Sequence, residues 1–410
     1  MHKLFSITLF YGISQLGMAE NEPSAVFSAD DVFNLEYVDA VQVAPDGKSV
    51  LYRRKSNDIM TDSTGSSIWM VDLAAASHRP LLTDYANYSW ATWSPDGSRI
   101  AYVVTDDSRA QIQVYWLDTG RSAVVASVAK KPADLSWSPD NLSLAFTMKV
   151  PIKATPLVKP RIKPEHASWA EPAKVISSVR YQFDGRGIVA PESRQIFIVP
   201  AEGGTPRQLT QGAYQHGGPL SWTTNSRSVL FSANRHKNWE LETIESDLFL
   251  VDTKSLELTQ VTNDPGAESA GRFSPDGGSI VYISEENKPL AYRHRRLKVL
   301  SLEESTVQVL LGEADFSVSS ALWSDAGRTI SFQYDQKGRR KIGSVDLRNR
   351  FKEISDQVGG TSLGRPYLSG GFHYSNGTYA FSLADEGMPA ELGVIQGGSS
   401  RKMTSLNEDV

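Results

Sequence analysis

A ten-residue phrase recurs along the chain and constrains its fold more than any other feature. The clearest copies begin at Trp93, Trp137 and Phe273, and each has an aromatic residue, a Ser-Pro-Asp turn and an alternating apolar run. Weaker copies contain the stretches Val43–Gly47, Trp222–Asn225, Trp323–Gly327 and Tyr374–Gly377. Proline presets the φ of a turn, aspartate bonds to its own backbone and glycine accepts a positive φ, so each copy predicts a tight hairpin.

The runs that follow the copies extend this pattern to four strands. After most copies come a third apolar run and a short fourth run, as in 195–199 with 207–210 and 248–252 with 260–262. Four short antiparallel strands form one blade of a β-propeller. The copies recur every 44–51 residues, except for an interval of 85 residues between Pro139 and Thr224. The sequence therefore predicts an all-β, seven-bladed β-propeller of four-stranded antiparallel blades over residues 20–410, with an insertion at about 150–190 in the third blade.

The N-terminal residues have a different character. A basic His2-Lys3 pair precedes an apolar run over 4–13 and small residues that end at Ala19, which predicts a signal peptide over 1–19, cleaved after Ala19. Neither this run nor any later one is long enough to span a membrane. The chain has no cysteine, so no disulfide or lipid anchor is expected. The signal peptide predicts a periplasmic or secreted location. Ser28–Leu35, with a serine cap and an acidic first turn, predicts one short helix before the first blade.

The charge balance argues against a polyanionic partner. The formal net charge is −5, so no nucleic-acid partner is expected. The basic run Arg293–Arg296 is interpreted as a solvated blade edge.

The motifs that could carry chemistry are incomplete. Ser362 lies in a Gly-x-Ser-x-Gly match, but the apolar strand before it and the helix after it, which a nucleophile elbow needs, are missing, and only His373 follows as a base. We therefore interpret Ser362 as part of a turn and expect no catalytic residue in this chain. The seven histidines show no metal-ligand spacing, and no glycine-rich loop precedes a helix, so neither a metal nor a cofactor is expected.

The insertion is the remaining candidate for a site. Its second half places Arg180, Tyr181 and Asp184 beside flexible glycines. One interpretation is a structural hairpin that holds a buried Arg–Asp pair. The other is a loop that projects from the ring, where Arg180 or Asp184 meets a charged peptide terminus.

Several segments, taken together, carry a family resemblance. These segments are Val179–Gly185, Gly203–Thr210, Phe231–Arg235, Ser246–Asp252, Gly364–Tyr367, Pro389–Val394 and Met403–Glu408. The chain resembles the prolyl oligopeptidase family of serine peptidases, and within it the acylaminoacyl-peptidase and dipeptidyl-peptidase branch, from about residue 28 to the C-terminus. Single copies of the repeat are generic to TolB-like propellers, whereas the combination with this insertion is more specific.

The resemblance implies a partner domain and a role for the propeller. Family members follow the propeller with an α/β-hydrolase domain that holds the Ser, Asp and His triad. No position here matches a triad residue, and the chain reaches Val410 where that domain would begin, so we expect no reaction with a fluorophosphonate probe. The propeller of the family covers the active site, restricts access to short or unfolded peptides and contacts substrate. Arg180, Tyr181 and Asp184 are the positions expected to make such contacts.

Two functions from different classes follow. The first is the peptide-binding, gating propeller of an exported serine peptidase that hydrolyses short peptides with its hydrolase domain, in cis or in trans. The second is a free-standing TolB-like periplasmic scaffold for protein interactions, and recovery of a stable envelope partner without a hydrolase would favour it. An unrelated propeller enzyme is a third, remote alternative.

Overall fold

The computed structural model describes residues 27–84, 86–106, 110–152, 161–170, 175–176, 178–288, 290, 292–361 and 369–408. Within these ranges the chain forms thirty β-strands and one short helix. The all-β class predicted from the alternating apolar runs is confirmed. The signal-peptide residues 1–19 lie outside the described ranges.

Five sheets contain four antiparallel strands each, in sequence order. The first sheet contains β1 (Glu36–Val43), β2 (Ser49–Asp58), β3 (Ser63–Asp72) and β4 (Ser77–Leu82). The second contains β5 (Asn87–Trp93), β6 (Arg99–Thr105), β7 (Ala110–Trp116) and β8 (Arg121–Ser127). The third contains β9 (Ala133–Trp137), β10 (Ser143–Pro151), β13 (Glu192–Pro200) and β14 (Arg207–Gln208). The fourth contains β15 (His216–Trp222), β16 (Ser228–Ala233), β17 (Asp247–Asp252) and β18 (Leu258–Gln260). The fifth contains β19 (Gly266–Phe273), β20 (Ser279–Glu286), β21 (Arg295–Ser301) and β22 (Thr306–Leu310).

The remaining strands form an eight-stranded sheet and a small hairpin. One half of the large sheet contains β23 (Ser317–Trp323), β24 (Thr329–Gln336), β25 (Arg339–Asp346) and β26 (Phe351–Val358). The other half contains β27 (Phe372–Ser375), β28 (Thr378–Asp385), β29 (Met388–Gln396) and β30 (Ser399–Lys402). A single residue pair, Val358 with Leu383, joins the two halves. The hairpin of β11 (Gln182–Phe183) and β12 (Gly187–Ile188) lies between β10 and β13, in the predicted insertion.

The predicted helix is shorter than expected. Only Asp30–Phe33 is helical, as one turn of 3-10 helix. The Ser28 side chain is not its cap, because it is the backbone N–H of Ser28 that donates to the Asp31 carboxylate, at 2.6 Å. With four residues and no buried face, this segment has no packing to extend it.

Each Ser-Pro-Asp turn is closed by its own side chains. In the second sheet, the Ser94 hydroxyl donates to Asp96 at 2.6 Å, and the same carboxylate oxygen accepts from the backbone N–H of Ser98 at 3.0 Å. The backbone N–H of Arg99 in turn donates to the Ser94 hydroxyl at 2.9 Å. Gly97 has a φ of +71°, which glycine adopts without strain. The phrase thus specifies its turn through local contacts alone.

The aromatic residue before each turn joins one sheet to the next. The indole N–H groups of Trp93, Trp137, Trp222 and Trp323 donate to backbone carbonyls of the preceding sheet at 3.1–3.4 Å. Among the residues that the structure describes, seven clusters of buried apolar side chains lie between neighbouring groups of four strands, and one of them joins the first sheet to the β27–β30 half. Because every sheet buries apolar residues against both neighbours, the sheets close into a ring.

The turns meet around one side of the ring, which we call the turn face. The backbone N–H of Asp96 donates to the Asn141 amide of the next turn, at 3.2 Å. The last turn meets the first, where the Asn376 amide donates to the Asp46 carbonyl at 2.7 Å. The first strands of successive sheets contact one another, so they surround the central axis.

The opposite side, which we call the insertion face, contains the β10–β13 insertion and the points where the chain enters and leaves the ring. Strands alternate in direction, so the start of β1 and the residues after β30 lie on this side. The Asn407 side chain joins them, because it accepts from the backbone N–H of Glu36 at 2.8 Å and donates to the Glu36 carbonyl at 2.7 Å. The chain therefore enters and leaves the ring on the same side as the insertion.

Candidate functional site

The insertion contains an exposed two-stranded hairpin. β11 and β12 pair through Gln182 with Ile188 and Phe183 with Gly187. Gly185 has a φ of +70°, and a Cβ at this position would meet nothing within 4 Å, so the tip is open to solvent. The hairpin follows from the glycines at the turn and the alternating residues around them.

Of the three residues predicted to bind peptide, Asp184 lies in the turn of this hairpin, and Arg180 and Tyr181 lie directly before β11. Arg180, Tyr181 and Asp184 are exposed, and no ion pair joins Arg180 to Asp184 within the described ranges. The alternative of a buried Arg–Asp pair is therefore wrong, because both side chains remain hydrated instead of being covered by the ring. Arg186, in the turn of the hairpin, makes a cation–π contact: its guanidinium lies 4.9 Å from the centre of the Phe183 ring.

Beside the hairpin lies an apolar cavity of about 360 Å³. Tyr181 lines it together with the exposed side chains of Val175, Ile176 and Ile188. A concave apolar surface with an aromatic wall suits a hydrophobic side chain of a bound peptide. Of the three predicted residues, Tyr181 lines this cavity, and Arg180 and Asp184 do not.

A second cluster, which we call the Arg235 cluster, was missed by the sequence analysis. It consists of Tyr214, His216, Arg235 and Trp239 on the insertion face of the fourth sheet. The Arg235 guanidinium lies 4.4 Å from the centre of the Tyr214 ring and donates to His216 Nε2 at 2.8 Å. Among the residues that the structure describes, no carboxylate pairs with Arg235. The cluster depends on two segments twenty residues apart meeting in space, and only the Asn-Arg-His stretch after β16 could have drawn attention to it.

The neutral form of His216 determines the direction of the hydrogen bonds in this cluster. Burial lowers its pKa to about 4, so the imidazole is neutral at pH 7. Its Nδ1–H donates to the Arg194 carbonyl at 2.8 Å, which leaves Nε2 as the acceptor for Arg235. A guanidinium held by a ring face and by one acceptor keeps further N–H donors available to an anion or a carbonyl.

Next to the cluster, buried acids lie between the fourth and fifth sheets. Burial raises the pKa of Asp247, which accepts a hydrogen bond from His236 at 3.1 Å. Burial also raises the pKa of Glu268, to about 7, and neither Glu268 oxygen accepts a hydrogen bond from another described side chain or backbone group. The nearest cation is the Lys298 ammonium, 3.8 Å from Glu268 Oε1. Glu268 is thus held largely in its neutral form at acidic pH.

The other candidate motifs have separate outcomes. Ser362 lies outside the described residues. His373 lies in the ring, where its Nδ1 accepts from the backbone N–H of Val43 at 3.2 Å. In the part of the chain that the structure describes, no group of three or more His, Asp or Glu residues could hold a metal ion, and no helix is long and apolar enough to cross a membrane.

Comparison with known proteins identifies the family. Residues 44–108 and 153–291 match the family model described as the dipeptidyl peptidase IV N-terminal region, and the second match includes the insertion. The chain is 21% identical over 369 residues to dipeptidyl-peptidase 5 of Porphyromonas gingivalis, covering 84% of this chain and 52% of the relative. It belongs to the prolyl oligopeptidase family, as the N-terminal propeller part.

Further comparisons agree with this family propeller. The chain is 26% identical over 210 residues to the uncharacterized peptidase YuxL of Bacillus subtilis, covering 51% of this chain and 31% of the relative. The chain thus spans about half or less of these relatives. The acylaminoacyl peptidase of Pyrococcus horikoshii has a TM-score of 0.69 at 17% identity, over 92% of this chain and 53% of that one.

The propeller domain of the Trilobed protease from Pyrococcus furiosus has a TM-score of 0.62 at 14% identity, over 92% of this chain and 97% of that one. At such identities, the structural likeness shows the propeller fold alone.

Proposed function

We propose that this chain is the peptide-binding, gating propeller of an exported serine peptidase that hydrolyses short peptides with an α/β-hydrolase domain. The observation that carries the proposal is that one face of a family propeller presents both the insertion hairpin and the two points where the chain enters and leaves the ring. A domain attached at Glu36 or Asn407 would lie over this face, because the Asn407 side chain holds the two ends together. A peptide that reaches the domain would pass the hairpin.

We also propose the number of blades and the cellular location. The ring has seven blades over residues 20–410, with β23–β26 and β27–β30 as the sixth and seventh. The buried apolar clusters between all neighbouring groups of four strands support this number. A signal peptide cleaved after Ala19 would deliver the protein to the periplasm or outside the cell. In this proposal the propeller binds peptide and the hydrolase domain cleaves it.

On the hairpin, Tyr181 gives an apolar wall and Arg180 and Asp184 give charges of opposite sign. We infer that an apolar peptide side chain occupies the 360 Å³ cavity while a charged terminus meets Arg180 or Asp184. Hydrated charges contribute little binding free energy each, so Tyr181 is expected to dominate.

The test is the affinity of a fluorescent apolar tetrapeptide for the full chain, measured by anisotropy. Tyr181→Ala is expected to weaken binding about tenfold, since truncating an aromatic anchor typically costs 1 kcal/mol or more. Leu142→Ala is the matched control, because Leu142 is an exposed apolar residue on the turn face. Equal affinities of the parent and Tyr181→Ala would contradict the proposed role of the hairpin.

A further inference from the structure

The central channel contains a cavity that the proposed peptide site does not use. It has a volume of about 390 Å³ and lies near the turn face. The first strands of several sheets line it, and four lining residues stand directly before a copy of the repeat: Gln42, Thr92, Ser136 and Arg272. Three of these side chains are uncharged, so Arg272 differs from its repeat equivalents.

Arg272 has no counterion among the described residues, where its guanidinium makes neither a hydrogen bond nor an ion pair. Other partly buried arginines of the ring have one: Arg53 lies 2.5 Å from Asp39, and Arg340 lies 2.8 Å from Asp335. A guanidinium stays protonated in proteins, and burial of an unpaired charge costs free energy. Burial accordingly lowers the pKa of Arg272.

His373 adds a second donor to the same lining. Burial, together with the charge of Arg272, lowers the pKa of His373 to about 4, so its ring is neutral at pH 7. Because Nδ1 accepts from the backbone of Val43, the proton of the neutral ring resides on Nε2. The acidic residue of the lining, Asp134, accepts from the Thr147 hydroxyl at 2.7 Å and makes no ion pair with Arg272 in the described part of the chain.

We propose that Arg272 and the Nε2–H of His373 form an anion site in the central channel, which binds a carboxylate group. A guanidinium offers two parallel N–H donors that match the two oxygens of a carboxylate. The carboxylate belongs either to a small free acid or to the C-terminus of a peptide. Only the second source rests on the proposed peptide-binding function.

The cavity contains its own spectroscopic probe, because Trp90, Trp93 and Trp137 line it. The experiment titrates the full chain at pH 7 and constant ionic strength with acetate or with neutral acetamide, and follows tryptophan fluorescence and the melting temperature. Acetate is expected to give a saturable fluorescence change and a higher melting temperature, and acetamide neither. Arg272→Met is expected to weaken acetate binding about tenfold or more, because hydrogen bonds to charged groups are the stronger class.

Arg272→Met also separates the site from a structural role. Without acetate, this variant is expected to melt higher than the parent, since it removes an unpaired, partly buried charge. Arg272→Lys keeps the charge but loses the two-donor geometry, so its acetate affinity lies between the two. Arg339→Met, an exposed arginine outside the cavity, is the control and leaves the titration unchanged.

Acetate binding that is equal in Arg272→Met and the parent would overturn the proposal, and so would a lower melting temperature of that variant without acetate. A tripeptide with a free C-terminus, compared with its amide, distinguishes the two sources. Competition with acetate by the free acid alone supports the peptide source. Failure of both peptides, while acetate binds, overturns that source and leaves both the anion site and the separately tested hairpin standing.

Discussion

On the turn face, Asp276 accepts hydrogen bonds from the Ser274 hydroxyl and the Gly278 backbone, whereas on the insertion face the buried Glu268 accepts none from the described residues. The Ser274 bond and the Gly278 bond lower the pKa of Asp276, while burial raises that of Glu268 to about 7. The first carboxylate belongs to a repeated turn whose donors come with it in the sequence. The second stands at a position that the repeat does not specify.

The arginines show the same difference. Arg99, beside a repeated turn, donates to the Asn141 carbonyl and pairs with Glu202 at 2.8 Å. Arg235, on the insertion face, has an aromatic ring and a neutral imidazole as its neighbours. Groups that satisfy one another build the ring, and groups left without a counterion remain available to bind a partner.

The largest difference between the two regions is expected in stability. Trp137 is buried and joins the second sheet to the third, so Trp137→Ala should lower the free energy of unfolding by about 3–5 kcal/mol. Trp169→Ala, in the exposed insertion, should change it by no more than about 0.5 kcal/mol. Chemical denaturation measures both. Similar losses in the two variants would mean that the insertion is part of the ring's core.

The second prediction concerns pH. The folded-state pKa of Glu268 is raised from 4.5 to about 7, so its contribution to stability is complete below pH 4.5 and is lost as the pH rises through 7. Glu268→Gln should remove a decline on the order of 1–3 kcal/mol over that window. His216 and His373, whose pKa values are lowered to about 4, act in the opposite direction, so the difference between parent and variant is the quantity to follow.

Asp276→Asn is the matched control for this measurement. The pKa of Asp276 is lowered, so its contribution is present above pH 3.8 and is lost only as the pH falls further. This variant should therefore keep the decline between pH 4.5 and 7. Parallel stability curves for the parent and Glu268→Gln would show that Glu268 is not protonated in the folded protein.

The smallest effect on the free energy of unfolding is expected at two glycines with nearly the same φ. Gly47 and Gly185 have φ values of +72° and +70°, but a Cβ at Gly47 would lie 2.8 Å from the Asn376 carbonyl, where the ring closes. Gly47→Ala should lower the free energy of unfolding by about 1–2 kcal/mol, and Gly185→Ala by less than about 1 kcal/mol. Denaturant midpoints compare them. An equal effect of the two substitutions would argue against tight closure between Gly47 and Asn376.

The parts of the fold that could be predicted are those specified by near neighbours in sequence. Ser94, Asp96 and Gly97 form their turn with one another, so the Ser-Pro-Asp-Gly sequence is enough to recognise it. The indole bonds of Trp137 and its equivalents could not be predicted as bonds, because their acceptors lie 45 to 86 residues away in another sheet. The repeat did predict that an aromatic residue would stand there.

The site was less predictable for the same physical reason. Tyr181 could be found because the insertion interrupts the spacing of the repeat. Arg235 lies just after β16 and Glu268 lies on β19, and the missing carboxylate partner of Arg235 and the missing hydrogen-bond donors of Glu268 are properties of the assembled structure. The extent of the short helix was overestimated from a serine and two aspartates, which specify one turn without a packed face to prolong it.

The insertion face is proposed to bind the apolar part of a peptide, while the side chains of the repeated turns hold the ring together. Photo-cross-linking of the full chain with a benzophenone-labelled apolar tetrapeptide, followed by mass spectrometry, tests it most directly. We expect cross-links within residues 175–191 and near Arg235, and we expect unlabelled peptide to reduce them. Cross-links confined to the turns around Pro139 and Pro275, with none in the insertion, would contradict it.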